Sequence, residues 1–209
     1  MASIWRLSRR KARPMARGGC VPPKSAPSAA ELRRLGDPLD LIARDHMRAR
    51  CIHAALRRIA EAQSRPEDDP CAIARFLRDE LPPHLEDEEA GLFPVLRLRC
   101  LPEEAIGPTL DALMSDHTRE RLEMTRVGAL MVRLAEGGAP LEPPEVADAL
   151  SFARTSLRHL IVENAIVLPL ARARLNRRDR DRLLRAMVQR RGLDALMPPS
   201  VAHPVGVVQ

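Results

Sequence analysis

A two-part pattern of metal-binding residue types recurs along the chain. A D-H pair is followed by an H-x-x-x-E element, and the same order then returns, offset by 71 residues at the D-H pairs and 75 at the H-x-x-x-E elements. Residues four apart lie on one face of a helix, so the His and Glu of each element can reach the same ion. The candidate metal ligands are His46, His84, Glu88, His117, His159 and Glu163.

The donor set indicates which cations it suits. Imidazole and carboxylate together favour iron, manganese or zinc over calcium or magnesium. Six ligands are too many for one tetrahedral zinc ion. They divide into two ions with two His each, bridged by Glu88 and Glu163, as in carboxylate-rich helical bundles. We therefore expect two non-haem iron ions, with manganese or zinc as alternatives.

Helices must position these residues, because apolar side chains recur at three- and four-residue steps after residue 36 and no segment alternates like a strand. Asp37-Pro38 predicts a helix start, and Gly137-Gly138 predicts a helix end. Pro82-Pro83 should kink or restart the second helix. This pattern predicts an all-α, up-down-up-down four-helix bundle with a basic N-terminal tail and a short C-terminal helix. The expected helices cover about 38–63, 67–98, 102–136, 145–175 and 179–190.

Charge is distributed unevenly. The chain of 209 residues carries a net +6, but residues 1–34 hold nine basic residues against one acid, and residues 172–191 hold nine against two. The middle is acidic, which favours cation binding over nucleic-acid binding. No apolar run approaches the roughly 20 residues of a membrane span. We expect a basic, disordered leader at 1–36, the bundle at 37–176, and a short basic helix with a tail at 177–209, in a cytoplasmic protein.

Other residues near the motifs allow alternative interpretations. His53 lies seven residues after His46 and is expected in the core or at the rim of the site. Asp45 and Asp116 precede ligands and either orient a His on a neighbouring helix or only favour solubility. Glu89 could substitute for Glu88, but only Glu88 keeps the four-residue spacing.

The order of motifs resembles the hemerythrin-like, HHE cation-binding domain family, in its bacterial type. The resemblance covers about residues 38–175 and includes Leu92-Phe93-Pro94 and Val167-Leu168-Pro169, which follow each Glu as in that family. It implies a four-helix bundle around a non-haem di-iron centre. The four His would then be terminal ligands, and the two Glu would bridge.

One position departs from the oxygen-carrying members of that family. They have a fifth His four residues after the third-helix His, where this chain has Arg121. The resemblance therefore implies a centre that binds or reacts with O2, NO or peroxide in stress defence or sensing, rather than simple oxygen storage. A metal-responsive regulatory module, repair of iron–sulfur centres and an enzyme proper stay open, as does a helical scaffold without metal. The protein partner is undefined.

Overall fold

The computed structural model describes residues 36–65 and 67–193, and five helices account for most of them. Almost all of the predicted leader and the predicted tail after residue 193 lie outside the described residues. Helix α1 spans Pro38–Ala60, α3 spans Ile106–Ala135 and α5 spans Arg177–Arg190. Helix α2 runs over residues 70–99 and α4 over residues 143–174, each through several consecutive segments. The all-α fold expected from the sequence is confirmed.

Helix boundaries follow local capping chemistry. The Asp37 carboxylate accepts a hydrogen bond from the Leu39 amide at 2.9 Å, and Pro38 occupies the first helical position, which needs no N–H donor. Asp69 caps α2 in the same way. Helix α4 begins at Pro143, two residues earlier than expected, because Pro143 also fits a first helical position.

Helix α3 begins later than the sequence predicts. A 3₁₀ turn over Pro102–Glu104 and a left-handed residue, Ala105 (φ 43°), precede it, so the expected start near residue 102 is wrong by about one turn. Gly137, with a φ of 77°, follows the other end of α3, as expected for a residue that reverses the chain after a helix.

Prolines inside α2 and α4 widen these helices instead of breaking them. Helix α2 alternates between α and π segments, with π turns at Phe76–Glu80 and Asp87–Leu92, and α4 has one at Glu163–Val167. A proline ring clashes with the carbonyl four residues before it. For Pro82, Pro83, Pro94 and Pro169 that carbonyl lies within a π turn. The wider turn relieves the clash without ending the helix, so of the two outcomes expected at Pro82-Pro83, a kink or a restart, the helix does not restart.

The core consists of two apolar layers, one toward each end of the bundle. One layer includes Ile42 of α1, Phe93 of α2 and Leu168 of α4, together with Leu183 of α5. The other is built from Leu56, Phe76, Met131 and Phe152 and their neighbours. Along each long helix the candidate ligands fall between these layers. The polar site is therefore enclosed by apolar packing above and below.

Helix α5 packs on α1 and on the second π turn of α2. A side chain at Gly91, within that turn, would place its Cβ 2.6 Å from Leu183 Cδ1. Gly91 therefore permits the close approach of α5. Among the described residues, no helix is both long and apolar enough to cross a bilayer.

A pair of glycine substitutions tests this packing. Gly128→Ala, in the middle of α3 with open space around it, should raise the free energy of unfolding by roughly 0.5–1 kcal/mol through helix propensity. Gly91→Ala should leave the free energy of unfolding unchanged or lower it, because overpacking a core costs about 1–3 kcal/mol and offsets the gain in helix propensity. Urea unfolding followed by circular dichroism measures both. An equal gain in the two variants would contradict the close contact between α2 and α5.

Candidate metal centre

Four helices each bring one H-x-x-x-E or D-H element to a common level. His117 lies 18 residues before the end of α3, and His159 lies 16 residues after the start of α4. Antiparallel helices that share a short loop therefore hold both imidazoles at nearly the same height. The structure brings all six predicted residues into one cluster.

The two carboxylates lie at the centre of the cluster. Glu88 Oε1 is 3.1 Å from His46 Nε2, and Glu88 Oε2 is 3.6 Å from His84 Nε2 and from His117 Nε2. Glu163 lies 3.5 Å from His46 Nε2 and 3.3 Å from His117 Nε2. His46 and His117 thus each face both carboxylates.

The cluster divides into two groups of three. His46, His84 and Glu88 place ligand atoms within 4.8 Å of one another, as do His117, His159 and Glu163. Within each group the two imidazole rings meet edge to face, at centroid distances of 5.1 and 5.2 Å. This arrangement could hold two metal ions, one in each group.

All six residues are at most 4% exposed, yet several of their side-chain polar atoms have no hydrogen-bond partner. The orphaned atoms include both ring nitrogens of His84, Oε2 of Glu88 and Oε2 of Glu163. Buried polar atoms without partners are costly, since each loses its hydration without compensation. Orphaned nitrogen and oxygen atoms that converge on one space are the donor set of a transition-metal ion, so these residues fit such a group.

Electrostatics in the cluster reflect its burial. Burial lowers the pKa of His84 to about 4 and that of His159 to about 3, with neighbouring imidazoles adding to the effect. Burial would raise the pKa of Glu88, but the surrounding imidazoles hold it below its ordinary value. Burial and the adjacent Glu88 charge raise the pKa of Glu163. At neutral pH, His84 and His159 are therefore neutral and available as ligands.

The outer ring nitrogen of two of the four candidate ligand histidines lies within hydrogen-bond distance of a side chain on a neighbouring helix. His117 Nδ1 lies 3.0 Å from Glu89 Oε1, and His46 Nδ1 lies 2.9 Å from the Asn164 amide. The Glu89 carboxylate can accept from His117 Nδ1, which fixes the orientation of that ring and raises its basicity, whereas the Asn164 amide nitrogen donates to His46 Nδ1 and fixes the orientation of that ring. Glu89 also binds Arg121, the residue that stands in place of a fifth His, at 2.6 Å. Glu89 is therefore an outer partner of His117, and it does not replace Glu88.

The two aspartates of the D-H pairs differ. Asp45 Oδ2 lies 4.0 Å from His84 Nδ1, whereas Asp116 binds the exposed Arg158 at 3.2 Å. Of the two, only Asp45 approaches a candidate ligand histidine. The aspartates at the matching positions of the repeat therefore have different contacts.

Glu120 is a buried carboxyl that the sequence reasoning missed. It accepts a hydrogen bond from the Ser156 hydroxyl and lies 3.4 Å from His159 Nδ1. Burial raises its pKa to about 7, opposed by the hydroxyl hydrogen bond. The first half of the repeat has Ala49 at the matching position, so a search for repeated residues passes over Glu120. Its spacing of three residues from His117 was the one available signal.

His53 packs in the apolar layer between Phe76 and Phe152, with ring centroids at 6.2 and 5.5 Å. Burial lowers its pKa to about 4. The expectation of a core histidine agrees with this position.

Acid should therefore destabilise the protein partly through His53. The unfolded chain takes up a proton near pH 6.5, whereas the folded chain does so only near pH 4. Stability is thus lost as pH falls through this window, by about 2 kcal/mol between neutral pH and pH 5. His53→Leu should reduce that loss in urea unfolding of the metal-free protein. A variant with the same loss of stability as the wild type would contradict a buried neutral His53.

Comparison with known proteins agrees with this geometry. The family model described as the hemerythrin HHE cation-binding domain matches residues 37–188, which include all six candidate ligands and most of α5. No curated protein and no solved structure matches the chain. Since the match covers well over half of the 209 residues, the chain belongs to the hemerythrin HHE cation-binding domain family.

Proposed function

We propose that this protein holds two iron ions in its bundle core and uses them to bind or react with O2, NO or peroxide in stress defence or sensing. Glu88 and Glu163 would bridge the two ions. The four histidines would be terminal ligands, two to each ion: His46 and His84 to one, His117 and His159 to the other. Manganese or zinc are the alternative occupants.

The observation that carries the proposal is the position of the two carboxylates between the two histidine pairs. His46 Nε2 lies within 3.5 Å of an oxygen of each carboxylate, and His117 Nε2 lies within 3.6 Å. A carboxylate with histidines on both sides is placed to bind two cations at once, and its negative charge would offset their mutual repulsion. A pair of ferrous ions would supply electrons and coordination positions for a small diatomic molecule or peroxide.

The protein itself contributes orientation and exclusion of water. Partners on the outer ring nitrogens of His46 and His117 hold these two imidazoles in place, while apolar layers on both sides keep bulk solvent from the centre. With Arg121 tied to Glu89, the position of a fifth histidine supplies no ligand. One ion would therefore keep an open coordination position, which favours reactivity over storage.

Metal content is the first test. Protein expressed with iron and purified without oxygen should contain about two irons per chain by plasma mass spectrometry. His46→Ala combined with His117→Ala should lose both, because these two residues contact both carboxylates. His53→Leu is the matched control, since it removes a buried histidine from the apolar layer. No metal in well-folded wild-type protein would refute the proposal.

Ligand titrations then test the reactivity. Addition of O2, NO or peroxide to the ferrous protein should change its optical spectrum. Binding of two metal ions without any such change would instead favour the metal-responsive regulatory module. That alternative is supported by the orphaned polar atoms in the core, because metal binding to them would strongly stabilise the fold.

The outer partner of His159 gives a finer test of the site. Glu120→Leu should weaken metal binding by about 10- to 100-fold, since it removes the group facing His159 Nδ1. Glu120→Gln keeps an oxygen there and should retain most of the affinity. Glu123→Leu, one turn further along α3, serves as the control. Competition with a chelator measures the metal affinity of each variant. Equal affinities in Glu120→Leu and the control would show that Glu120 does not support the site.

A further inference from the structure

Burial of the ligands makes access a problem for any cation. Since all six residues are at most 4% exposed, a hydrated ion cannot reach them across the protein surface. Either the bundle opens or a passage leads inward. His84 has the highest exposed fraction of the six ligands, which points to its side of the cluster.

A cleft reaches His84 where α1, α2 and the C-terminal end of α5 meet. Its volume is about 40 Å³, and His84 forms part of its wall together with Pro83. The π turn at Phe76–Glu80 borders the same cleft. Both ring nitrogens of His84 lack a hydrogen-bond partner. A buried, unpartnered ligand group therefore lies at the inner end of an opening.

Carboxylates predominate in the lining of this cleft. Asp45, Asp79 and Glu80 contribute three acidic groups, against the two guanidinium groups of Arg48 and Arg191. Both guanidinium groups are engaged by acids: Arg48 donates to Glu80 at 2.6 Å, and Arg191 donates to Asp45 at 3.3 Å.

Arg191 also binds a carboxylate that does not line the cleft. It donates to the fully buried Asp87 at 2.5 Å, so its charge is balanced from two sides. The remaining acid of the cleft, Asp79, is exposed. Among the described residues its hydrogen bonds come from the neighbouring exposed Arg78, which donates to both carboxylate oxygens at 2.8 Å. Solvent around both side chains screens the attraction between them, so a divalent cation can compete with Arg78 for the Asp79 carboxylate.

We propose that this cleft is the passage by which a divalent transition-metal cation enters the core, with Asp79 attracting the ion at the mouth and His84 receiving it at the inner end. The inference rests on the proposed metal centre. It adds a route that is distinct from the ligands themselves, because Asp79 belongs to none of the ligand groups.

The test is the rate of metal uptake by metal-free protein. Anaerobic stopped-flow mixing with Co(II) follows binding through the visible absorption of the bound ion. Asp79→Lys should slow uptake about threefold to tenfold at low ionic strength, through loss of electrostatic attraction. The difference should shrink in high salt. The final number of ions bound and the melting temperature should stay those of the wild type.

Asp111→Lys is the matched control, with the same charge change at an exposed aspartate of α3 that binds Arg97. It should load at the wild-type rate. Equal uptake rates in Asp79→Lys and Asp111→Lys would overturn the proposed passage. Faster uptake by both variants in sub-denaturing urea would also overturn it, because it would indicate that the ion enters when the bundle opens. Failure of the wild type to bind Co(II), iron or zinc at all would instead refute the metal centre, so the two failures are distinguishable.

Discussion

The structure depends on two carboxylates that are completely buried among four histidines. Glu88 and Glu163 have no exposed surface, and their oxygens lie within 3.6 Å of imidazole nitrogens. Burying an uncompensated charge costs several kcal/mol, so positive charge must accompany them, as protons or as metal cations. In the metal-free protein, burial and the charge of Glu88 raise the pKa of Glu163, which favours its protonated form. Two cations would replace that proton and satisfy the orphaned ligand atoms.

Prolines in α2 and α4 are linked to the π turns that contain Glu88 and Glu163. Each Glu of the repeat lies in a π turn, and a proline follows it six residues later, as Pro94 follows Glu88 and Pro169 follows Glu163. The proline prevents regular hydrogen bonding to the turn that contains the Glu. A wider turn is a local cost in backbone geometry, and π turns of this kind are frequent at functional sites. The same turn in α2 includes Gly91, which lets α5 approach.

The features that depend on the repeat could be predicted from the sequence, because helical periodicity and the repeated spacing of His and Glu are local signals. The helix count, the fold class and the clustering of six side chains follow from them. The π turns could not be anticipated, since a proline within a helix predicts disruption without saying how the backbone accommodates it. The roles of Glu120 and Asp87 were missed as well, because their partners, His159 and Arg191, are distant in sequence and become neighbours only through packing.

The repeat preserves the candidate ligands but not the groups that surround them. Asn164 and Asp45 face the outer nitrogens of His46 and His84, whereas the second pair of histidines faces two carboxylates, Glu89 and Glu120. A carboxylate partner makes an imidazole a stronger electron donor than an amide does. The first half is moreover connected to α5 through Arg191 and Asp45, and borders the acidic cleft. Two halves with the same candidate ligands therefore create inequivalent environments, one bordered by the cleft and one covered by Phe93 stacked on His117.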